Sequence, residues 1–386
     1  MKRKFLIGAT VLLSMLLSAC GGNKKPFDNE QNATSYTPTF PLGEFVRPAG
    51  VNPVLKPDSA SVFFCPMNQS EVRWEESDAF NPGAVIKDGK ICVLYRAEDN
   101  SAVGIASRVS RVAMAESSDG FNMTKRAAPV VFPDDNNKKY EWPGGCEDPR
   151  VSVTEDGTFV IFYTSWDRTT ARLCVATSRD LVNWEKHGPA FASAYDGRFL
   201  DVWSKASSIL TKLVDDKLVI TQINGKYFMY WGEFIIYGAT SDDLKSWTPI
   251  LDENGELKAL MSPRKGYFDS DLTECGPPAI YTEDGIILLY NGKNKVDEGD
   301  PNYITNTYCA GQALFDAKDP AKLITRLDKP FLVPQEDFEK SGQYPDGTVF
   351  IEGLVYFQKK WFLYYGCADS RVAVAVFDPN AASKNK

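Results

Sequence analysis

Histidine is almost absent from this 386-residue sequence: there is one, His187, in a predicted turn after Trp184. A Ser-His-Asp hydrolase needs a well-placed histidine base, and a zinc hydrolase usually binds its metal through histidines. The eight cysteines show no Cys-x-x-Cys spacing, and those after Cys20 are odd in number. The sequence therefore indicates no metal, no cofactor and no complete disulfide framework, although a pair between Cys146 and Cys275 is left open.

Long apolar runs are missing after the first 17 residues, so no internal segment approaches the roughly 20 apolar residues of a membrane-spanning helix. At the N-terminus, basic residues precede an apolar run that ends in Leu17-Ser18-Ala19-Cys20. This pattern predicts an export signal over residues 1–19 and resembles the lipobox of bacterial lipoproteins, in which Cys20 is acylated. An ordinary signal peptide with a nearby cysteine is the alternative.

Residues 21–39 are polar and lack apolar periodicity, which predicts a tether that follows the lipidated Cys20. The folded domain is predicted to span residues 40–386. We therefore expect an exported lipoprotein, on the periplasmic face or the cell surface, that touches the membrane only through its lipid.

Positive charge is also in deficit, with 43 Lys and Arg against 51 Asp and Glu and a formal net charge of −8. This balance argues against nucleic acid as a partner. Aromatic residues such as Trp166, Trp203 and Tyr227 lie in predicted connections or strand ends, where their faces can stack on sugar rings. Carbohydrate is the partner that the composition favours, and the oligomeric state is left open.

One phrase recurs along the chain: an apolar strand, an Asp-Gly turn and a tyrosine-rich strand. It is clearest at 81–95, 148–163 and 276–290, and looser at 205–231 and 350–365. A third strand and a Ser-Asp turn follow several copies, which makes four strands per unit. We predict an all-β, five-bladed β-propeller with units that start near 81, 147, 203, 276 and 349. A β-sandwich, the alternative, does not explain the repeated Ser-Asp-x-x-x-Trp turn.

In a propeller, the first strand of each blade lines the central channel, so residues that open each unit should meet in one axial pocket. Carboxylates and a cation around a funnel suit glycoside hydrolysis, which commonly needs one carboxylic acid and one carboxylate. The openers are Asn81, Glu147, Asp148, Lys205, Glu274 and Glu352.

Over roughly residues 60–378 the chain resembles glycoside hydrolase family 130, which comprises mannoside phosphorylases and related β-mannosidases with a five-bladed propeller. The resemblance implies that the partner is a mannose-containing oligosaccharide. Its motifs are Asn81-Pro-Gly-Ala-Val, Tyr95-Arg96-Ala-Glu98, Glu147-Asp148-Pro-Arg150-Val, Trp203-Ser-Lys205, Tyr227-Phe-Met-Tyr-Trp-Gly-Glu233, Glu274-Cys-Gly-Pro-Pro, Tyr290-Asn-Gly and Tyr365-Gly-Cys-Ala-Asp369.

The resemblance also implies roles for single residues. Asp148 would be the catalytic acid and would act through the O3 hydroxyl of the bound mannose. For Arg150, an ion pair with Glu147 is the structural alternative to sugar binding. The predicted substrate-binding residues are Asn81, Arg96, Glu98, Arg150, Lys205, Tyr230, Asn291 and Asp369.

The departures from the family pattern are informative. Phosphorylases of this family hold phosphate with a basic cluster that includes a Tyr-His-Gly histidine, and this chain has Asn291 at that position. The segment 218–224 carries no basic residue, whereas Glu233 and Glu274 add negative charge. Carboxylates repel phosphate and suit an activated water, as in the family's β-1,2-mannosidases.

We therefore predict an inverting β-mannosidase, specific for β-1,2 bonds, in which Asp148 supplies the proton and Glu233 and Glu274 activate water. Carboxyl groups about 6.5–9.5 Å apart are typical of inverting enzymes. The alternatives are a phosphate-dependent phosphorylase, a five-bladed glycosidase of arabinose or xylose polymers, and a glycan-binding lipoprotein without activity.

Overall fold

The computed structural model describes residues 36–382. The predicted signal peptide, Cys20 and the tether up to residue 35 lie outside the described residues and stay predictions. Within residues 36–382, no helix combines the length and the apolarity that a bilayer crossing requires.

The regular secondary structure of the described chain is almost entirely β-strand, which confirms the all-β prediction. Valine, isoleucine, phenylalanine and tyrosine dominate these segments, and such residues pack well on a pleated surface. A short hairpin, β1 (Phe63–Cys65) and β2 (Ser70–Val72), precedes the main body. The helical pieces are α1 (Lys138–Glu141), α2 (Pro379–Ala382) and one 3-10 turn (Asp337–Glu339).

The remaining strands form five successive antiparallel groups, and the first two have four strands each. Group 1 consists of β3 (Asp78–Lys87), β4 (Lys90–Glu98), β5 (Ser110–Ser117) and β6 (Thr124–Lys125). Group 2 consists of β7 (Gly145–Val153), β8 (Phe159–Trp166), β9 (Ala171–Ser178) and β10 (Glu185–Pro189).

In groups 3 and 4, interruptions divide strands that are continuous in the first two groups. Group 3 consists of β11 (Ser207–Val214), β12 (Lys217–Ile220), β13 (Gln222–Ile223), β14 (Lys226–Trp231), β15 (Tyr237–Ser241) and β16 (Thr248–Pro249). Group 4 consists of β17 (Leu272–Cys275), β18 (Ala279–Thr282), β19 (Gly285–Lys293), β20 (Tyr308–Phe315) and β21 (Leu323–Arg326).

Group 5 obtains its outer edge from the other end of the chain. Its own strands are β22 (Val349–Phe357), β23 (Lys360–Cys367) and β24 (Arg371–Phe377). Val46 and Leu55 form antiparallel bridges to β24, and the amide of Asn52 bonds both the N–H and the carbonyl of Val374 at 2.9 Å. Since a side chain replaces part of the backbone pairing here, strand periodicity does not reveal this edge.

The inner strands of neighbouring groups lie against one another, and β22 of group 5 lies against β3 of group 1. A Cβ on Gly83 of β3 would stand 2.5 Å from the carbonyl oxygen of Pro149 in β7, so only glycine permits this approach. Four hydrophobic clusters fill the spaces between groups 5 and 1, 1 and 2, 2 and 3, and 3 and 4. Trp247, for example, packs edge-on against Phe162 of the preceding group, with ring centroids 5.6 Å apart.

The five predicted units thus correspond to five strand groups, with first strands that begin at Asp78, Gly145, Ser207, Leu272 and Val349. The Asp-Gly turns lie where the repeat predicts them, between β3 and β4, β7 and β8, and β18 and β19. The five-bladed propeller itself stays a prediction.

Candidate active site

The site begins with irregularities in the inner strands. Asn81 and Asp148 both have a φ of 48°, and a register shift occurs at each of them and at Glu352. Such bulges re-aim side chains, and they are frequent next to active sites. The repeated bulge turns side chains of several groups toward one another, which realises the convergence that the unit openers predict.

Asp148 is held at the centre of this cluster by three donors. Its Oδ1 accepts a hydrogen bond of 2.8 Å from Nδ2 of Asn81 and lies 3.2 Å from Nη1 of Arg96. Its Oδ2 lies 3.3 Å from Nζ of Lys205. Only 3% of Asp148 is exposed, so these contacts are largely shielded from water.

Arg96 ties Asp148 to two further carboxylates. Its Nη2 lies 2.6 Å from Oε1 of Glu98 and 2.9 Å from Oε1 of Glu147. Glu98 also accepts hydrogen bonds from Ser110 and Gln343. Glu98 therefore belongs to the cluster, but its oxygens serve mainly to orient Arg96.

Arg150 joins the Asp148 side of the cluster to the Glu274 side. Its guanidinium donates to the carbonyl oxygens of Asp148 at 3.0 Å and Cys275 at 3.1 Å. Nη1 lies 2.7 Å from Oε1 of Glu352, and Nη2 lies 4.0 Å from Oε1 of Glu274. The alternative partner Glu147 is thus wrong, because Glu147 pairs with Arg96 and leaves Arg150 to Glu352.

Glu233 and Glu274 form a second corner of the site, in which the groups differ in exposure. Glu274 lies on β17 and is 3% exposed, whereas Glu233 follows β14 and is half-buried. Oε2 of Glu233 accepts a hydrogen bond of 2.6 Å from the indole nitrogen of Trp203. The ammonium group of Lys205 lies 3.3 Å from Asp148, and the negative charges of both glutamates also raise its pKa. Lys205 therefore interacts with both corners of the site.

Charge separates the proton affinities of these groups. Burial raises the pKa of Asp148, but Lys205, Arg96 and Arg150 overcome this effect and hold that pKa well below its ordinary value. Burial raises the pKa of the adjacent Glu147 to about 7 despite Arg96. When no sugar is bound, a proton shared by Asp148 and Glu147 therefore resides on Glu147, which has the higher pKa.

Three further carboxyl groups, those of Glu274, Glu352 and Asp369, bind protons more tightly than usual. Burial and the negative charge of Glu233 raise the pKa of Glu274 well above its ordinary value. Burial likewise raises the pKa of Glu352, and it raises the pKa of Asp369 to about 7, with a further contribution from Asp148. The pKa of Lys205 is also raised, because the surrounding carboxylates outweigh the effect of burial.

Two predicted substrate-binding residues use their polar groups within the protein, and their role in sugar binding stays a prediction. Tyr230 is fully buried between groups 3 and 4, where its hydroxyl donates to the carbonyl of Pro320 at 2.9 Å. The amide of Asn291 is consumed by the backbone of Ile351, with which it makes hydrogen bonds of 3.1 and 2.7 Å. Each side chain thus connects elements of the fold.

The side chains of the lone histidine and of the described cysteines make no hydrogen bond or ion pair with the carboxyl groups of the site. His187 lies on β10, the last strand of group 2, and its Nε2 is 2.8 Å from the hydroxyl of Thr177. The cysteines of the described chain are buried thiols. Cys146 and Cys275 pack in different hydrophobic clusters.

Sequence reasoning missed an aromatic wall beside the second corner. The ring of Tyr308, the first residue of β20, is edge-on to Tyr344 and Phe350, with centroids 5.4 and 5.7 Å away. Burial and the carboxylates of Glu274, Asp369 and Glu233 raise the pKa of Tyr308 well above its usual range. Tyr308 opens β20, a later strand of group 4, so the expectation that unit openers meet in one pocket passes over it.

Comparisons with known proteins agree with this chemistry. The glycoside hydrolase family 130 model, described as beta-1,4-mannooligosaccharide phosphorylase, matches residues 55–381. A 1,2-beta-oligomannan phosphorylase of Thermoanaerobacter sp. (strain X514) is 32% identical over 317 residues, which cover 81% of this chain and 94% of that protein.

Two solved structures are more similar. One, described by the words "The GH130 family of mannoside phosphorylases contains glycoside hydrolases that target beta-1,2 mannosidic linkages in Candida mannan", is 57% identical with a TM-score of 0.88 and covers 89% of this chain and 96% of that one. The other, a glycosyl hydrolase from Bacteroides ovatus, is 59% identical with a TM-score of 0.86 and covers 88% and 94%.

Proposed function

We propose that this chain, which belongs to glycoside hydrolase family 130, is an exported enzyme that hydrolyses β-1,2-mannosidic bonds with inversion. Family membership establishes an enzyme that acts on β-mannosidic linkages. The choice of water over phosphate as the second substrate is our inference from the charges of the site.

The observation that carries this inference is the excess of carboxylates around the cluster. Every cation in it already faces a carboxylate: Arg96 pairs with Glu98 and Glu147, Arg150 with Glu352, and Lys205 with Asp148. Glu233 and Glu274 add two further carboxyl groups, of which the buried Glu274 holds its proton more tightly than usual because its pKa is raised. Each of them that is ionised would repel a phosphate dianion by about 1 kcal/mol per charge pair in water and several times more in a shielded pocket. A neutral water molecule meets no such barrier.

In the proposed reaction, Asp148 passes its proton to the mannose O3 hydroxyl, whose own proton moves to the bridging oxygen as the glycosidic bond breaks. Glu233 and Glu274 accept a proton from water, and the water oxygen bonds to the anomeric carbon from the opposite face. Asn81, Arg96, Arg150, Lys205 and Asp369 position the sugar, and Glu98 orients Arg96. Asp148 must hold a proton when the sugar is bound, and Glu147, with a pKa of about 7, stores one nearby.

We also propose the finer architecture and location that the sequence predicts. Five antiparallel groups whose inner strands adjoin, with group 5 next to group 1, fit a five-bladed propeller around an axial site. The signal-like N-terminus fits an exported lipoprotein anchored through Cys20. A mannan-type glycan outside the cytoplasm would then be the substrate.

A phosphate-dependent phosphorylase is the second candidate, because two of the comparisons name such enzymes. The matching family model is described as a phosphorylase, and so is the Thermoanaerobacter relative. Against it stands Asn291, which occupies the position of the phosphate-binding histidine and is bonded to the backbone of Ile351.

The deciding experiment incubates the protein with β-1,2-mannobiose in the presence and absence of inorganic phosphate. We expect mannose as the only product and equal rates in both samples. For the Glu274→Gln variant, kcat should fall roughly 10²–10³-fold both with and without phosphate, because a general base contributes about that much. Mannose 1-phosphate in the phosphate sample, with no cleavage in its absence, would establish the phosphorylase instead.

A further inference from the structure

We propose that Trp203 is the positioning residue for Glu233, an inference that rests on the proposed role of Glu233 as a base. The indole nitrogen of Trp203 donates a hydrogen bond of 2.6 Å to Oε2 of Glu233. Both residues flank strands of group 3, since Trp203 precedes β11 and Glu233 follows β14. The antiparallel pairing of β11 with β14 brings them together, although they are 30 positions apart in the sequence.

Trp203 is itself held in place, although 46% of it is exposed. The next residue, Ser204, is bonded to β9 twice: its N–H donates to the carbonyl of Ala171, and its hydroxyl accepts from the N–H of Leu173, both at 3.0 Å. The Trp203 ring is also edge-on to Trp166, with centroids 5.8 Å apart. A donor that is anchored through backbone and ring can orient a mobile partner.

Glu233 is such a partner. The backbone of Gly232 is well anchored, because its N–H bonds the carbonyls of Lys205 and Ala206 and its own carbonyl accepts from Cys275. Beyond Cα, however, the side chain has three rotatable bonds, and within residues 36–382 Trp203 provides its only hydrogen bond. Asp148, by contrast, has a shorter side chain and three donors. Positioning of the Glu233 carboxylate thus depends on one indole.

The chemistry of the donor suits a base. A lysine or arginine at this place would favour the ionised carboxylate and reduce its affinity for a proton. An indole N–H orients Oε2 without adding a second full positive charge to that of Lys205, which already interacts with Glu233. Oε1 then stays available to accept the proton of the attacking water.

The test compares Trp203→Phe with the matched variant Trp184→Phe. Each replaces one indole by a smaller ring, but the indole nitrogen of Trp184 donates to a backbone carbonyl, that of Leu181, at 3.1 Å in the turn before β10. For Trp203→Phe we expect kcat for β-1,2-mannobiose hydrolysis to fall roughly tenfold, as for loss of one hydrogen bond to a charged group, with KM changed less than about twofold. Trp184→Phe should change kcat by less than about threefold.

Crystal structures of the parent and both variants give a readout that does not depend on activity. We expect one Glu233 conformation in the parent and in Trp184→Phe, and a displaced or multiple conformation in Trp203→Phe. An unmoved Glu233 in Trp203→Phe, an unchanged kcat, or a rise in KM alone would overturn the positioning role. A parent that releases no mannose in water refutes the proposed function instead, and the crystal structures still decide whether Trp203 holds Glu233.

Discussion

Two corners of one site use the same functional group in opposite environments. At the first corner, Asp148 has Asn81, Arg96 and Lys205 within 3.3 Å, and its pKa is lowered. At the second corner, burial and Glu233 raise the pKa of Glu274. The difference teaches that position in the charge network, more than residue type, decides which carboxyl group holds a proton.

This order is the reverse of what the assigned roles require, since the proposed acid is the group with the lowered pKa. Environments that push two pKa values apart usually identify acid and base directly. In the proposed reaction the sugar completes the assignment, because its O3 hydroxyl would bind Asp148 while Glu147, with its raised pKa, retains a proton beside it. Variants that change the charge environment of either corner therefore test this comparison.

The largest effect is expected from Asp148→Asn, which removes the anchored carboxyl group of the first corner. We expect kcat for β-1,2-mannobiose hydrolysis to fall roughly 10²–10⁴-fold, because a general acid contributes about that much. Initial rates of mannose release provide the measurement. The control is Asp156→Asn, which changes an exposed turn between β7 and β8 and should retain full activity. A loss smaller than tenfold would contradict the role of Asp148 as the acid.

A smaller effect, on the free energy of unfolding, is expected from Arg150→Met. This substitution removes the guanidinium that joins the Asp148 side of the site to the Glu274 side. The change leaves Glu352 without its cation and two backbone carbonyls without a donor. Removal of one partner from a buried pair costs about 3–5 kcal/mol of the free energy of unfolding, measurable by urea denaturation.

The control for that measurement is Arg179→Met, which breaks the exposed pair with Asp156. Exposed pairs contribute about 0–1 kcal/mol, so the two variants should differ clearly. Equal losses of stability would mean that Arg150 does not act as a buried link.

The smallest effect concerns pH and Asp369, whose pKa rises from 3.8 to about 7 in the folded protein. Since the folded state binds this proton more tightly than the unfolded chain does, the free energy of unfolding should fall as pH rises from about 4 to about 7. Asp369→Asn cannot lose a proton and should show a shallower fall over that range. Urea denaturation at several pH values measures both slopes, and parallel slopes would exclude Asp369 as a source of the dependence.

The local pattern of the sequence predicted the strand groups well because each unit carries its own information. Alternating apolar residues and Asp-Gly turns are short-range signals, so the hairpin of β3 and β4 can be recognised without the rest of the chain. The outer edge of group 5 lacks such a signal. Residues 46–55 pair with β24 partly through the side chain of Asn52, more than 300 positions away in sequence.

The sequence predicted which residues form the site better than it predicted which hydrogen bonds and ion pairs they make. Asn81, Asp148 and Lys205 do meet, because all three open a unit of the repeat. Tyr230 and Asn291 share motifs with site residues but bond to Pro320 and Ile351, since those polar backbone atoms are buried and need partners. Trp203 was predicted as a sugar platform, and its hydrogen bond to Glu233 follows from no local pattern.

The sequence by itself determined an all-β chain of repeated units, a site of carboxylates and cations without histidine, and a region where acidic groups stand in place of a phosphate-binding cluster. Only the tertiary structure decided that Arg150 faces Glu352, that Arg96 is shared by Glu98, Glu147 and Asp148, and that one indole holds Glu233. The physical reason is that a pKa depends on burial and on charges a few ångströms away, and these neighbours come from strand groups far apart in the chain.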